Sequence, residues 1–387
     1  MAGINLTDER NRRLASWLQG VPAPPLRVSI FPTNVCNLEC KMCGVPNGVR
    51  EGRFRVKDEF TIEEWRRLVK EGAQMGILEW WVGGGGEPLV RRELTTEIIK
   101  TIRKYSPYSE IELTTNASRF TEEIIRDLVV ADLDKMQFSI DFPDAKMHNW
   151  LRGGDATFEK ATWAIRRFSE FKRELGKKVP WLTANVILNA RNYTRLEEFI
   201  PFAKNIGIEQ VNVTPLRVTD EMRPVMQEAG LVMDACQKRE VFAYAARASR
   251  LAQKEGVGFG FLVNREWEDI SETGMMTRKS EGGRVGPQDP SKRENLRHYL
   301  GLRCYESWYT LAVDALGNPG PCVTGAIGNP QYSFREHTLK EVWYGEYFLK
   351  IRSRLNENLL IDPCSQCTVT DMREKVGLLL NEHVRAT

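Results

Sequence analysis

Apolar and polar positions along the first part of the chain alternate between two periods. Short runs rich in β-branched and aromatic residues recur at LRVSIF (26–31), LEWWVGG (78–84), EIELTTN (110–116), KMQFSID (135–141), WLTANVIL (181–188) and EQVNVTPL (209–216), and these read as strands. Between them, apolar residues recur at helical spacing over 61–76, 91–105, 121–133, 157–178 and 195–207. Thr61 followed by Glu64 is a capping-box pattern, and Thr121 stands where the next helix needs an N-cap. Six strand-then-helix units result, the helix after the sixth strand being the least clearly marked. Connections of helix length predict parallel strands joined by right-handed crossovers. The expected fold is therefore α/β, a partial (β/α)6 TIM-like barrel or an open sheet, binding ligands at the C-terminal strand ends.

The rhythm breaks after residue 216. One helix is expected from Met233 to Glu255, followed by FGFLVN and a polar stretch over 265–300 that reads as a loop or lid. From Tyr309 to Asn329 the pattern is that of a hairpin turning at Gly317 to Gly320. A helix over 337–355 and another from about Asp371 complete the chain. The expected division is an N-terminal extension (1–25), a barrel (26–216), an insertion (217–300) and a small C-terminal domain (301–387).

Composition narrows this picture. The chain has 387 residues, 42% of them hydrophobic and 28% charged, with a net charge of +3. These are globular values, and the charge is too small to imply a nucleic-acid footprint. No apolar run reaches membrane-spanning length, and the charged N-terminus lacks the core of a signal peptide, so a cytoplasmic protein is expected. Eight cysteines in that compartment ask for a metal or cluster rather than disulfides.

Three of them, Cys36, Cys40 and Cys43, stand in NVCNLECKMCG just after the first strand. Three thiolates this close suit a cubane iron–sulfur cluster and leave one iron without a protein ligand. Zinc, the alternative, prefers four closed ligands, and no fourth Cys or His lies nearby. The motif resembles the signature of the radical S-adenosylmethionine superfamily, with Met42 at its apolar position. The resemblance implies a 4Fe–4S cluster whose open iron is chelated by S-adenosylmethionine, and reductive cleavage to methionine and a 5′-deoxyadenosyl radical that takes a hydrogen from substrate. It also implies a flavodoxin or ferredoxin as electron donor.

Other motifs match this family at the strand ends. Gly85, Gly86, Glu87 and Pro88 resemble the element that holds the methionine amino group; Met42 is placed to contact adenine. Thr115, Asn116, Ser139 and Asn185 resemble positions reaching the cofactor, with Asn189 a further candidate. Asp141 is a candidate proton acceptor. Asn116 and Asp141 are equally at home as turn or cap residues. In the C-terminal region, Cys304, Cys322, Cys364 and Cys367 with Gly317 resemble the SPASM or twitch module, which implies one auxiliary 4Fe–4S cluster closed by four cysteines; a four-cysteine zinc ribbon is the alternative on spacing. Cys236 reads as a small core residue. The module points to electron exchange with a substrate radical. With only about 25 residues before the first strand, a small hydroxylated substrate such as a sugar or cyclitol, dehydrogenated or epimerised, is expected ahead of a peptide. Peptide modification, or an electron carrier that is no enzyme, are the other readings.

Overall fold

In the computed structural model, residues 4–262, 304–323 and 328–357 are described. The expected lid over 265–300, the helix from Asp371, and Cys364 and Cys367 lie outside them.

The six expected strands form as β1 (Arg27–Ile30), β2 (Glu79–Val82), β3 (Glu110–Thr115), β4 (Lys135–Ser139), β5 (Trp181–Leu188) and β6 (Gln210–Pro215). Neighbours in sequence are neighbours in space, and every pair is parallel. Two more strands extend this sheet. β7 (Gly258–Phe261) adds in parallel to β6, and β8 (Thr310–Val313) adds in parallel to β1 on the other side. A two-residue β9 (Pro319–Gly320) folds back antiparallel on β8, completing the hairpin. The nine-stranded order is β7-β6-β5-β4-β3-β2-β1-β8-β9. The sheet is thus continuous across the boundary expected at residue 300.

The helices, among the described residues, begin with α1 (Leu6–Leu18) and a short α2 (Val45–Arg50) after the cysteine loop. They continue as α3 (Ile62–Gln74), α4 (Arg92–Tyr105), α5 (Glu122–Val130), α6 (Ala145–Arg152), α7 (Thr157–Glu174), α8 (Phe199–Ile206), α9 (Arg223–Glu228) and α10 (Ala235–Glu255). Thr61 and Glu64 make the full capping box of α3, and Thr121 caps α5. α1, α2, α6 and α9 were not expected. The single helix expected over 337–355 is two, α11 (Leu339–Tyr344) and α12 (Glu346–Asn356). Gly345 between them is extended, and a Cβ there would stand 2.2 Å from the Glu341 carbonyl oxygen.

One face of each strand is buried under helices. Val28, Ile30, Trp80, Val82, Leu113 and Phe138 share one apolar core with Leu68 and Val69 of α3 and Phe168 of α7. The period-2 alternation sends the other face inward, where it is polar. α1 packs on the C-terminal region: the Trp17 and Trp343 rings meet edge to face at 6.5 Å, and Trp343 Nε1 donates to the Ala23 carbonyl at 2.9 Å.

Candidate functional site

The cysteine loop leaves β1 at Phe31 and is anchored from three sides. Glu59 Oε1 accepts the Thr33 hydroxyl at 2.8 Å and the Asn34 N–H at 2.7 Å, while Glu59 Oε2 pairs with Arg91 at 3.0 Å. The glycine-rich turn after β2 supplies the second anchor. Gly86 N donates to the Thr33 carbonyl at 2.8 Å and Glu87 N to that of Val35 at 2.9 Å. A Cβ on Gly86 would lie 2.0 Å from the Val35 carbonyl oxygen, so the two backbones approach as only glycine permits. Gly85 adopts φ +63°, a conformation that suits glycine for a separate reason.

The third anchor is the end of β3. Asn116 Nδ2 donates to Asn37 Oδ1 at 3.1 Å, and Asn37 Nδ2 to Ser118 Oγ at 2.9 Å. Glu87 is fully enclosed. It accepts the Thr115 hydroxyl at 2.5 Å, the Asn116 N–H at 2.7 Å and the Leu89 N–H at 3.0 Å. Burial pushes its carboxyl above the usual range against the pull of these donors. Glu87 and Thr115 therefore serve to tie the β2 and β3 ends together. Thr115, expected to reach the cofactor, has its hydroxyl turned to Glu87 instead.

Asp141 is corrected in the same way. It is completely buried; Oδ2 takes Arg152 Nε at 2.6 Å and Oδ1 takes the Ile187 N–H at 2.9 Å. Its carbonyl accepts Asn192 Nδ2 at 3.0 Å, and its N–H points at His148 Nδ1 at 3.3 Å. A carboxylate with both oxygens engaged and no solvent contact is a brace, not a proton acceptor for substrate. Asn189 is likewise a turn residue, bonded to Ile187 and Arg191.

Ser139 and Asn185 do come together. They are paired across β4 and β5, and Asn185 in turn faces Asn212 of β6. Below this row, Thr114, Gln137, Thr183 and Gln210 are paired strand to strand. Both rows hold only uncharged hydrogen-bonding groups. Asn212 and Gln137, absent from the expected set, carried the signal of polar parity on strands whose other face is apolar. Met42 packs beside Phe142, Leu151 and Met222, an apolar patch at the loop's edge.

Cys36, Cys40 and Cys43 are partly exposed and unpaired to one another. Burial pushes the Cys36 thiol up to about 12 and raises Cys40 and Cys43 as well. Bare thiolates are costly there, and a polynuclear iron centre offsets that cost. Among the described residues no three His, Cys, Asp or Glu side chains crowd closely enough to share one ion. A cubane does not require it, because its thiolates bind different irons. The sulfur-only donor set on one short loop fits such a cluster. Cys304 and Cys322 flank the β8–β9 hairpin. Gly320 pairs with Ala312, so the strand runs back toward the start of β8, where Cys304 accepts the Glu306 N–H at 3.4 Å. Cys236, expected in the core, is exposed on α10 and donates to Glu240.

A parallel barrel-like sheet with a three-thiol loop at the end of its first strand defines an enzyme that holds an iron–sulfur cluster and S-adenosylmethionine. The chain belongs to the radical SAM superfamily: the family model of that description matches residues 30–179, and one described as an iron–sulfur cluster-binding domain, SPASM, matches 304–368. Among curated relatives, a probable GTP 3′,8-cyclase of Thermococcus kodakarensis is 34% identical over 49% of this chain and 55% of its own length. A PqqA peptide cyclase of Xanthomonas campestris is 28% identical over 49% of this chain and 46% of its own. The chain thus spans about half the length of these relatives. The crystal structure of Streptococcus suis SuiB bound to S-adenosylmethionine superposes with a TM-score of 0.65 at 17% identity, covering 89% of this chain and 72% of that one. It shares the fold. Among the described residues no helix is long and apolar enough to cross a membrane.

Proposed function

We propose that this enzyme abstracts a hydrogen from an uncharged polar substrate held in the barrel lumen, and that the substrate is oxidised through the C-terminal cluster. When bound, the first cluster and S-adenosylmethionine supply a 5′-deoxyadenosyl radical, and the second cluster supplies an electron acceptor. The observation that carries this reading is the placement of the two cysteine sets. Cys36, Cys40 and Cys43 follow the C-terminal end of β1, whereas Cys304 and Cys322 lie toward the start of β8, its parallel neighbour. That four-residue ladder spans about 13 Å, and the polar lumen lies alongside it.

The chain's own residues divide the work. Cys36, Cys40 and Cys43 would hold the radical cluster. The backbone of the 83–86 turn and the Met42 patch would hold the methionine and adenine ends of the cofactor, with Ser139 and Asn185 beside them. Gln137 and Asn212 each offer an amide NH2 to substrate, their oxygens already accepting Thr114 Oγ1 at 3.4 Å and Gln210 Nε2 at 2.7 Å. Asn37, Arg92, Ser118, Arg119, Phe120 and Lys160 line a cleft of about 530 Å³ outside the loop. Its rim, one residue from Cys36, carries Arg92, Arg119 and Lys160 against a single acid, Glu93, and this net positive charge suits an acidic electron donor such as a flavodoxin or ferredoxin.

Carboxamides pair with peptide amides as readily as with hydroxyls, and among the described residues nothing in the lumen prefers a sugar or cyclitol. The similarity to a PqqA peptide cyclase favours a peptide substrate as the second reading. Anaerobic reconstitution with S-adenosylmethionine and dithionite tests the proposal: failure of the wild type to form 5′-deoxyadenosine sinks it. Changing Cys36, Cys40 and Cys43 together to Ala should leave about four irons per chain; zinc without iron would refute the auxiliary cluster. Deuterium transfer into 5′-deoxyadenosine from labelled peptides or labelled polyols separates the two substrate classes.

A further inference from the structure

The last turn of α6 lies directly on the cysteine loop. Lys41 N donates to the Leu151 carbonyl at 3.0 Å. A Cβ on Gly153, which has φ +64°, would stand 2.3 Å from the Glu39 carbonyl oxygen, and one on Gly154 would stand 2.6 Å from Leu38 Cδ2. Residues 151, 153 and 154 thus touch 41, 39 and 38, and Cys40 sits at the centre of that contact. Arg152 is the remaining member of the turn, and its side chain points inward, 10% exposed.

Two nitrogens of Arg152 meet Asp141 Oδ2 at 2.6 Å each. The guanidinium charge also favours the Cys40 thiolate, whose segment this same turn covers. Asp141 is itself locked by the Ile187 N–H of β5, so the guanidinium plane is set by the sheet rather than by α6 alone. A guanidinium is cationic at every working pH and has five donors, enough to serve both partners.

Resting on the assignment of the triad to the radical cluster, we propose that Arg152 is a positioning residue for that cluster: it donates an N–H to the Cys40 sulfur, and Asp141 fixes its direction. An electron entering an iron–sulfur cluster increases negative charge on the ligand sulfurs. A donor on one sulfur, inside a low-dielectric pocket, stabilises the reduced state over the oxidised one and makes reduction easier. The one electron comes from the external donor; Arg152 neither gains nor loses a proton.

The test is the midpoint potential of the radical cluster in the full-length, two-cluster protein. It is followed by the EPR signal that changes when S-adenosylmethionine is added, with iron measured in parallel. Arg152→Gln should lower the reduced-to-oxidised ratio at fixed potential about tenfold, equivalent to about 59 mV for one electron, and Arg152→Lys should recover part of it. An unchanged midpoint in Arg152→Gln at full iron content overturns the proposal, as does an equal shift in both variants. If Arg152→Gln does not retain iron, Arg152→Lys decides alone: a partial negative shift supports the proposal, and a midpoint equal to wild type, or loss of iron here too, overturns it. A wild type with no cofactor-sensitive signal would instead defeat the assignment of the triad itself.

Discussion

The Glu87 carboxylate accepts the Thr115 hydroxyl at 2.5 Å across the gap between the ends of β2 and β3. The same carboxylate takes two backbone N–H groups, and no water-facing atom is left to it. Replacing it with Ala strands three buried donors, each costing about 1–3 kcal/mol when unsatisfied. Glu87→Ala should therefore lose at least 3 kcal/mol or so in urea unfolding, and Glu87→Gln, which keeps an acceptor oxygen, about half of that. Equal stability of Glu87→Ala and wild type would mean that the carboxylate is not the tie between the two strand ends.

The contact of Gly86 with Val35 makes a different prediction, because it concerns the shape of the cysteine loop. Gly86→Ala places a methyl 2.0 Å from the Val35 carbonyl oxygen, so the loop must move. Iron retained at the triad should fall to less than half of wild type, while the C-terminal cluster is unaffected. Gly20→Ala is the comparison: it too has positive φ, but nothing lies within 4 Å. Full iron in Gly86→Ala would show that the loop tolerates the displacement.

His148 carries a pH prediction. It is buried on α6, its Nδ1 receives the Asp141 N–H, and burial, with Arg152 nearby, lowers its pKa from 6.5 to about 3. Between those values the unfolded chain binds a proton that the folded chain refuses, so stability must rise with pH through this window. Within that window this group gives a slope of up to about 1.4 kcal/mol per pH unit; its contribution to stability is fully present above pH 6.5 and is lost on acidification toward 3. Urea midpoints taken at pH 7, 6 and 5 should fall less steeply in His148→Gln than in wild type; parallel curves would assign the acid sensitivity elsewhere.

Gly317 turns the hairpin with φ +81°, and a Cβ there would lie 1.8 Å from the Phe60 ring. Phe60 itself is edge-on to Trp65 at 5.2 Å and has no room to yield. Gly317→Ala should cost about 3 kcal/mol from strain and overpacking combined. A change below 1 kcal/mol or so in the unfolding midpoint would show that the hairpin relaxes away from the ring.

Local pattern accounts for much of what was legible beforehand. Trp181–Leu188 forms as a strand over the same residues that its β-branched run marks, and Thr61 and Glu64 cap α3 as their spacing requires. α6 escaped notice because it is only eight residues long and its inward face carries His148 and Arg152, which no apolar stripe reveals. Asp144 as N-cap and Gly153 in the left-handed C-cap were the available signals. β7 escaped because GFGF has glycine at both lumen-facing positions, the residue least expected in a strand. Gly260 is needed there, since a Cβ would stand 2.6 Å from Asn212 Oδ1.

By itself the sequence determined the six central strands and the helices between them, the parallel sheet they imply, and the thiol spacing that suits a cluster, because each follows from neighbours a few residues apart. The sheet partnership of β1 with β8, the enclosure of Glu87 and Asp141, and the seat of Arg152 against Cys40 were decided only by the tertiary structure. In isolation such side chains face water, and Asp141 reads as a candidate proton acceptor. Burial removes the water, and a buried charge must then find its partner in residues brought near by the sheet's register, which for Arg152 means a carboxylate on β4's end and the cysteine loop of β1.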